Sequence, residues 1–448
     1  MLSRAALALT RWSERFVPSS FVIALLLTAV LFGLAVGLTP TTPLDAVRAW
    51  GNGFWTLLGF AMQMTLIMVS GYVVAVSPGV DRFLAALARL PRGPRSCVAW
   101  MAFLSMGLAL LHWGLSIVVS AVMVKRFARH TPSVDYRLLV TAAYLGLGTT
   151  WHAGLSASAP LLVATPGHFL EAEMGVLPLA ETIFSPFNLA LAGIVLVAFT
   201  VVMPLLHPSR ERALGADARD LEEDTPAVRP QRLGEEGRET SGFAEWIEHS
   251  PWVGRVTGLL GFFWLGLHFT GQGPVTLDVV NFGYLFLGIF LHGRVTGLVR
   301  AVEDGVRLAS GVILQFPFYA GMFGILRDSG LTQVIGDAFA AAGTRESFPG
   351  LVLWHSAVVN YFVPSGGSKW AIEAPYLVAA AETLGTPVRG AVLAYAWGDM
   401  MTNIVQPFWA LPILKAAGLE FRHILGYAMV VFVLYGALVS GAFWLYPP

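Results

Sequence analysis

Apolar residues in this chain run in long uninterrupted blocks, separated by short basic or glycine- and proline-rich stretches. A helix needs about 20 mostly apolar residues to cross the hydrocarbon core of a bilayer. Blocks of that kind at 19–39, 54–77, 138–165, 185–206, 252–270, 276–292, 308–326, 390–414 and 424–446 predict nine crossing helices. Two further apolar stretches, 97–124 and 350–381, are too long for one upright helix and too short for two. Each carries its polar and helix-breaking residues in the middle: His112-Trp113-Gly114 in one, Pro364-Ser365-Gly366-Gly367-Ser368 in the other. A re-entrant hairpin, which enters, turns near the midplane and leaves on the same side, satisfies both facts. Non-helical backbone at that depth has to line a cavity or be buried in protein.

The positive-inside rule tests this layout. With the N-terminus cytoplasmic, nine crossings put the C-terminus outside, and both hairpins return to their own side. Of the 28 Lys and Arg residues, all but Arg48, Arg327, Arg345, Arg389 and Lys369 then fall in cytoplasmic segments. If 97–124 crossed as a single helix, Arg82–Arg95 and Lys125–Arg137 would lie on opposite sides. The polar stretch 208–250 reads as a cytoplasmic linker. It divides the chain into a first membrane repeat (1–207) and a linking helix with a second repeat (251–448).

Composition agrees with the pattern. Of 448 residues, 56% are hydrophobic and 12% charged, against roughly 25% charged in soluble domains. The formal net charge of zero gives no pull on nucleic acid. The single Cys97 excludes an intramolecular disulfide framework and a cysteine metal cluster. The first apolar block, preceded by Arg4, Arg11 and Arg15, has no small-x-small cleavage site and reads as a retained helix.

The halves echo each other at an offset of 251 residues. Tyr144 falls on Tyr395, Gly167 on Gly418, Gly79 on Gly330, and one hairpin tip falls on the other. The stretch Gly148-Thr149-Thr150-Trp151-His152 falls on Asp399-Met400-Met401-Thr402-Asn403, so each half holds one broken helix. Five crossings separate equivalent elements, and an odd number inverts them. The fold predicted is an all-α polytopic membrane protein: an inverted structural repeat of about nine crossing helices, two re-entrant hairpins and two broken helices. Inverted repeats with discontinuous helices at the midplane characterise secondary transporters.

The second tip has the chemistry of an anion site. Pro364 stops one arm and Gly366-Gly367 permit a tight turn. The next arm then opens with free N–H groups and a positive dipole end. Lys369 adds a charge at a depth where charge marks function; its partner is the substrate, Glu373 or Asp399. Substrate-binding candidates are His112, Ser116, His152, Asn360, Ser365, Gly366, Gly367, Ser368, Lys369 and Asp399. Thr149, Thr150, Ser156, Thr402 and Asn403 bring oxygens to the two breaks and are candidates for a Na⁺ site. A coupling proton would use Asp399 or a histidine instead. H-E-x-x-H, Walker A and Gly-x-Ser-x-Gly are absent from the sequence. No acid stands near His112 or His152 in sequence, which argues against an intramembrane acyltransferase.

Six stretches carry a family resemblance: WSERFVPSSF (12–21), FAMQMTLIMVSGYVVAVSP (60–78), YLGLGTTWHAGLSASAPLLVATPGH (144–168), QFPFYAGMFGI (315–325), NYFVPSGGSKWAIEAPY (360–376) and YAWGDMMTNIVQPFWALPIL (395–414). In these the chain resembles the bacterial short-chain fatty acid transporter family, associated with acetoacetate and butyrate uptake. That family looks like a branch of a larger ion-transporter group with two re-entrant hairpins per protomer. The resemblance implies a multi-pass protein of the bacterial inner membrane, a homodimer, an elevator motion, cation-coupled symport and no cofactor beyond a coupling Na⁺ or H⁺. Where the group commonly has Ser-Asn-Thr tips, this chain has Gly114-Leu115-Ser116 and Ser365-Gly366-Gly367-Ser368, so the coupling ion stays open. A monocarboxylate needs one cationic partner and a few donors, which the second tip offers. The first tip, with His112, Trp113 and Leu115, suits an apolar tail better than a second carboxylate. A di- or tricarboxylate carrier would need a second anion site there, and a cation/proton antiporter would use Asp399 without an organic substrate.

Overall fold

The computed structural model describes residues 20–217, 221 and 242–448. Among them are 20 α-helices and no strand. The expectations for Arg4, Arg11, Arg15 and most of the 208–250 linker lie outside the described residues.

All nine expected crossings are helical. In the first half they are α1 (Ser20–Leu38), α3 (Leu58–Ala75), the broken pair α7 (Tyr136–Thr149) and α8 (Ser158–Leu162), and α10 (Pro186–Leu205). In the second they are α12 (Pro251–Thr270), α13 (Leu277–His292), α14 (Val295–Ser329), the broken pair α18 (Val388–Asn403) and α19 (Leu411–Ala417), and α20 (Phe421–Leu445). Short helices fill the joints: α2 (Pro43–Gly53), α4 (Pro78–Leu87), α9 (Glu171–Met174), α11 (Phe243–His249) and α15 (Leu331–Ala342). Outward faces carry exposed Leu189, Val197, Leu260 and Phe263, as lipid contact requires.

Both hairpins are present. The first joins α5 (Pro94–Leu111) to α6 (Trp113–His130) through His112, whose extended φ of −162° and ψ of 113° turn the chain back. Ser116 Oγ donates across the turn to the Ser105 carbonyl at 2.7 Å. The second joins α16 (Phe348–Phe362) to α17 (Gly366–Leu384), and His355 reaches Tyr376 between the arms (Nε2 to OH 3.0 Å). The first hairpin is longer than 97–124 predicts. Pro94 is favoured in the first turn of a helix, and the second arm continues through the basic residues to His130. Each arm has 18 residues, about 27 Å.

The 251-residue offset holds from α2 to α8 but not for α10, which would land beyond the start of α20 by about 16 residues. Added to α5, α6 and α7 it lands on α16, α17 and α18. Added to α3 it lands on the last two-thirds of α14, whose 35 residues exceed the expected 308–326. Its first part, carrying Arg300, Glu303, Asp304 and Arg307, answers to α2. The first half breaks the chain between α2 and α3 where the second runs on. Gly167 and Gly418, identical in the repeat, both have positive φ, 81° and 67°.

Packing divides the helices into two groups. Helices α1, α2, α3 and α13 gather around α14, while the hairpins, the broken helices, α10 and α20 form a bundle. The groups meet where α3 packs on α6 and α14 on α17.

Candidate functional site

Both breaks and the second hairpin converge on one buried ionic cluster. Asp399, in the last turn of α18, is fully buried. Its Oδ1 lies 3.1 Å from Lys369 Nζ and its Oδ2 3.0 Å from His152 Nδ1. Lys369, one turn into α17, also donates to the Ser356 carbonyl (2.9 Å) and hydroxyl (2.6 Å). Its ammonium stands 4.2 Å from the centre of the Tyr395 ring, a cation–π distance. A charge out of water is tolerated when it is paired and hydrogen-bonded, and this lysine is both.

His152 follows the end of α7. Its Nε2 accepts the Ala159 N–H at 3.2 Å and faces the Ser158 hydroxyl at 2.9 Å. An acceptor on Nε2 puts the ring proton on Nδ1, which therefore donates to Asp399. The ring stacks on Trp151 at 4.2 Å. The sequence reading found no acid for this histidine. Asp399, 247 positions away, is that acid, because α7 and its break pack on α18.

The hairpin tip closes against this cluster. A Cβ on Gly366 would lie 2.7 Å from His152 Cε1 and 2.9 Å from Ser158 Oγ, so the approach needs glycine. Tyr395 donates to the Gly366 carbonyl (2.6 Å) and Trp409 Nε1 to that of Pro364 (2.7 Å).

The two tips differ in their free donors. At the first, His112 Nδ1 accepts the Leu115 N–H (3.3 Å) and Ser156 Oγ accepts the Trp113 N–H (2.9 Å). At the second, Ser365 occupies the N-cap position but makes no cap bond; its hydroxyl goes to Ser368 Oγ at 2.9 Å. Among the described residues, the N–H groups of Gly366, Gly367 and Ser368 have no acceptor.

Gly366 and Gly367 border a narrow cleft. The bundle supplies its polar wall: Ser158, Asn360, Ser365, Gly366, Gly367, Asp399 and Asn403. Trp113, Leu147, Trp151 and Trp409 close its sides, and α3 and α14 contribute Met64, Met68 and Phe316.

The remaining candidates lie around the cleft. Lys369 is behind Asp399, and His112 and Ser116 are buried in the first hairpin, away from the lining. Asn360 Nδ2 donates to Thr402 Oγ1 (3.0 Å) and Asn403 Oδ1 (2.9 Å), while Asn403 Nδ2 donates to the Leu147 carbonyl (3.2 Å). Thr149, Thr150 and Thr402 donate their hydroxyls to the carbonyls of Leu145 (2.7 Å), Met106 (3.0 Å) and Ala357 (2.7 Å), bracing the breaks. Sequence reasoning missed Ser356 and Tyr395. Tyr395 lies four residues before Asp399 on the same helix, so helical spacing marks it as a neighbour; nothing local marks Ser356.

Comparison with known proteins places the chain in a family. The family description "short chain fatty acid transporter" matches residues 1–446. A protein of Haemophilus influenzae, provisionally named a short-chain fatty acid transporter, is 36% identical over 441 residues, covering 97% of each chain. One of the same provisional name from Escherichia coli K12 is 35% identical over 439 residues, covering 98% of each. Among solved structures, the YdaH transporter of Alcanivorax borkumensis superposes with a TM-score of 0.55 at 18% identity, with 96% of this chain and 99% of that one covered. The chain belongs to the short-chain fatty acid transporter family.

Proposed function

We propose that this protein carries short monocarboxylates, such as butyrate and acetoacetate, across the bacterial inner membrane by cation-coupled symport. The observation that carries the reading is the difference between the tips. One helix N-terminus has three unclaimed N–H groups and meets the cleft at Gly366 and Gly367, while its counterpart has two of its first three claimed by His112 and Ser156. One set of donors suits one carboxylate. Trp113, Met64 and Phe316 offer the apolar surface that a three- or four-carbon tail needs. Transport without chemical conversion follows from this reading, as does a site for no dicarboxylate or citrate.

An elevator motion is supported by the division of labour around the cleft. Its polar wall belongs to the bundle, whereas α3 and α14 contribute apolar side chains. A bundle that keeps the polar groups of the cleft can slide past such a wall without losing them, breaking only edge contacts such as those of Tyr284 OH with the Leu111 carbonyl and of the Leu277 N–H with Thr165 Oγ1. The homodimer and the cytoplasmic N-terminus are part of the same proposal, on family resemblance and on the distribution of basic residues.

Counterflow of labelled acetoacetate in proteoliposomes, corrected for protein-free vesicles, tests the substrate class. Butyrate should compete and succinate and citrate should not; competition by succinate would reverse the assignment. Gly367→Pro removes one donor in the first turn of α17, where the N–H makes no helical bond, with its Cβ 3.1 Å from Phe60 Cζ, so the ring has to give by a few tenths of an ångström. Losing a hydrogen bond to a charged group costs about 1.5–3 kcal/mol, so apparent affinity should fall roughly 10- to 150-fold in a protein that still folds.

The chain of Ser158, His152 and Asp399 favours one other reading, acyl transfer, because serine, imidazole and carboxylate stand in relay order. Two contacts oppose it. The Ala159 N–H takes the same Nε2 that would accept the serine proton, and Lys369 holds the carboxylate from the far side. Hydrolysis of a butyryl ester that disappears in Ser158→Ala would decide for the enzyme.

A further inference from the structure

Glu373 lies one turn beyond Lys369 on α17 and is fully buried. Neither of its carboxyl oxygens has a hydrogen-bond partner among the described residues. Several ionisable groups surround it. On its own helix these are Lys369 and Tyr376; α16 presents His355, and α18 presents Asp399 and Tyr395. From α15, Phe339 packs against Tyr376 and His355, while Asp337 is exposed and bound to Gln333. From α14, Arg327 and Asp328 pair with each other at its exposed end, and Tyr319 OH bonds Gln315.

The charges do not balance around Glu373. The one buried ammonium nearby is held by Asp399 and Ser356. An ionised Glu373 would be a carboxylate without water, hydrogen bond or a cation of its own, a state that buried groups avoid by taking up a proton. His355 offers the proton a way in. Its side chain is 24% exposed, and its Nε2 stands 3.9 Å from Glu373 Oε2. The same nitrogen is 3.0 Å from the hydroxyl of Tyr376.

We propose that Glu373 is the proton site of this transporter, and that one proton bound there accompanies each carboxylate taken into the bundle. The inference rests on the monocarboxylate reading above and names its coupling ion. An anion at the N-terminus of α17 would sit roughly 10 Å along the helix from Glu373. With Lys369 already neutralised, the anion and an ionised Glu373 would be two unpaired negative charges in a low-dielectric bundle. Protonation of Glu373 removes one, so each event favours the other. By reciprocity, the anion raises proton affinity by the same factor as the proton raises anion affinity. The balance is simple: one carboxylate and one proton enter, the proton moves onto a Glu373 oxygen, and both leave on the other side with the net charge of the bundle unchanged.

The test is calorimetric titration of butyrate into the purified full-length protein, in two buffers of different ionisation enthalpy. At alkaline pH, where Glu373 of the free protein is ionised, the wild type should take up a fraction of a proton as it binds, up to about half for a tenfold coupling, and its affinity should rise about tenfold from alkaline to mildly acid pH. Glu373→Gln should bind butyrate without proton uptake and without pH dependence. A Glu373→Gln protein with wild-type proton uptake would overturn the proposal. A wild type whose butyrate affinity is the same at alkaline and mildly acid pH, with no proton taken up anywhere in that range, would overturn it too and leave the transport reading intact, whereas a wild type that binds no monocarboxylate would sink that reading instead. If Glu373→Gln fails to fold, infrared spectra of butyrate-bound wild type with isotopically labelled glutamate give the answer. A protonated-carboxyl C=O band that shifts with the label supports the site, and its absence rejects it.

Discussion

Lys369→Ala is expected to lower the stability of the bundle by about 3–5 kcal/mol, the cost of leaving one member of a buried ion pair without the other. Asp399 would keep the proton of His152 Nδ1 and lose the ammonium paired with its Oδ1. Ser356 would lose the donor that satisfies both its carbonyl and its hydroxyl. Thermal unfolding in mild detergent should show a Tm lowered by many degrees, with little folded protein recovered. Asp399→Asn alone should also destabilise, since Lys369 would then be a buried cation facing a neutral amide.

The double variant Lys369→Ala with Asp399→Asn separates pairing from substrate binding. The introduced amide oxygen would still accept from His152, and no unpaired charge would remain, so most of the lost stability should return. Buried pairs replaced as a unit are often neutral or better. If Lys369 instead stabilised the fold through packing alone, the double variant would be no more stable than the single ones. Uptake assayed on the recovered protein then shows what the charge pair contributes beyond stability.

The architecture was legible because helix breaks at membrane depth leave marks in sequence. His112-Trp113-Gly114 and Pro364-Ser365-Gly366 stand in the middle of apolar stretches, and both mark the observed turns. The pairing of Gly167 with Gly418 had a physical cause, because both positions take a backbone conformation that strains other residues. The partner of Lys369 was legible only as one of three candidates, the substrate, Glu373 and Asp399. Glu373, four residues on, has the spacing of a helical ion pair, yet the ammonium points to Asp399 and Ser356 on the neighbouring helices. Local spacing gives the distance between side chains on one helix; it does not show which neighbouring helix packs there. The partner of His152 was hidden for the same reason. The early part of α14 was missed because its charged residues end the apolar block while leaving the helix intact.

Gly398→Val is expected to separate two helices that the cluster depends on. Gly398 faces the backbone of Leu353 where α16 and α18 pack side by side. A Cβ there would overlap the Leu353 carbonyl oxygen, and would stand 2.9 Å from its carbonyl carbon and 3.1 Å from its Cα. These are backbone atoms inside a helix, so no side-chain rotation relieves the contact. Overpacking costs about 1–3 kcal/mol in a well-packed core, and occasionally more; the rigid neighbour puts this site at the upper end. Movement of α18 would also pull Ser356 from the Tyr395 carbonyl (2.8 Å) and Thr402 from that of Ala357 (2.7 Å). Asp399, the next residue, would shift away from His152 and Lys369. Transport should therefore fall further than the stability loss alone predicts. Gly426→Ala is the control, a helical glycine in α20 with nothing within 4 Å of an added Cβ. It should be neutral or more stable by up to about 1 kcal/mol. Equal Tm values and uptake for Gly398→Val and Gly426→Ala would refute the close packing of α16 on α18, and with it the geometry that brings Lys369, Asp399 and His152 together.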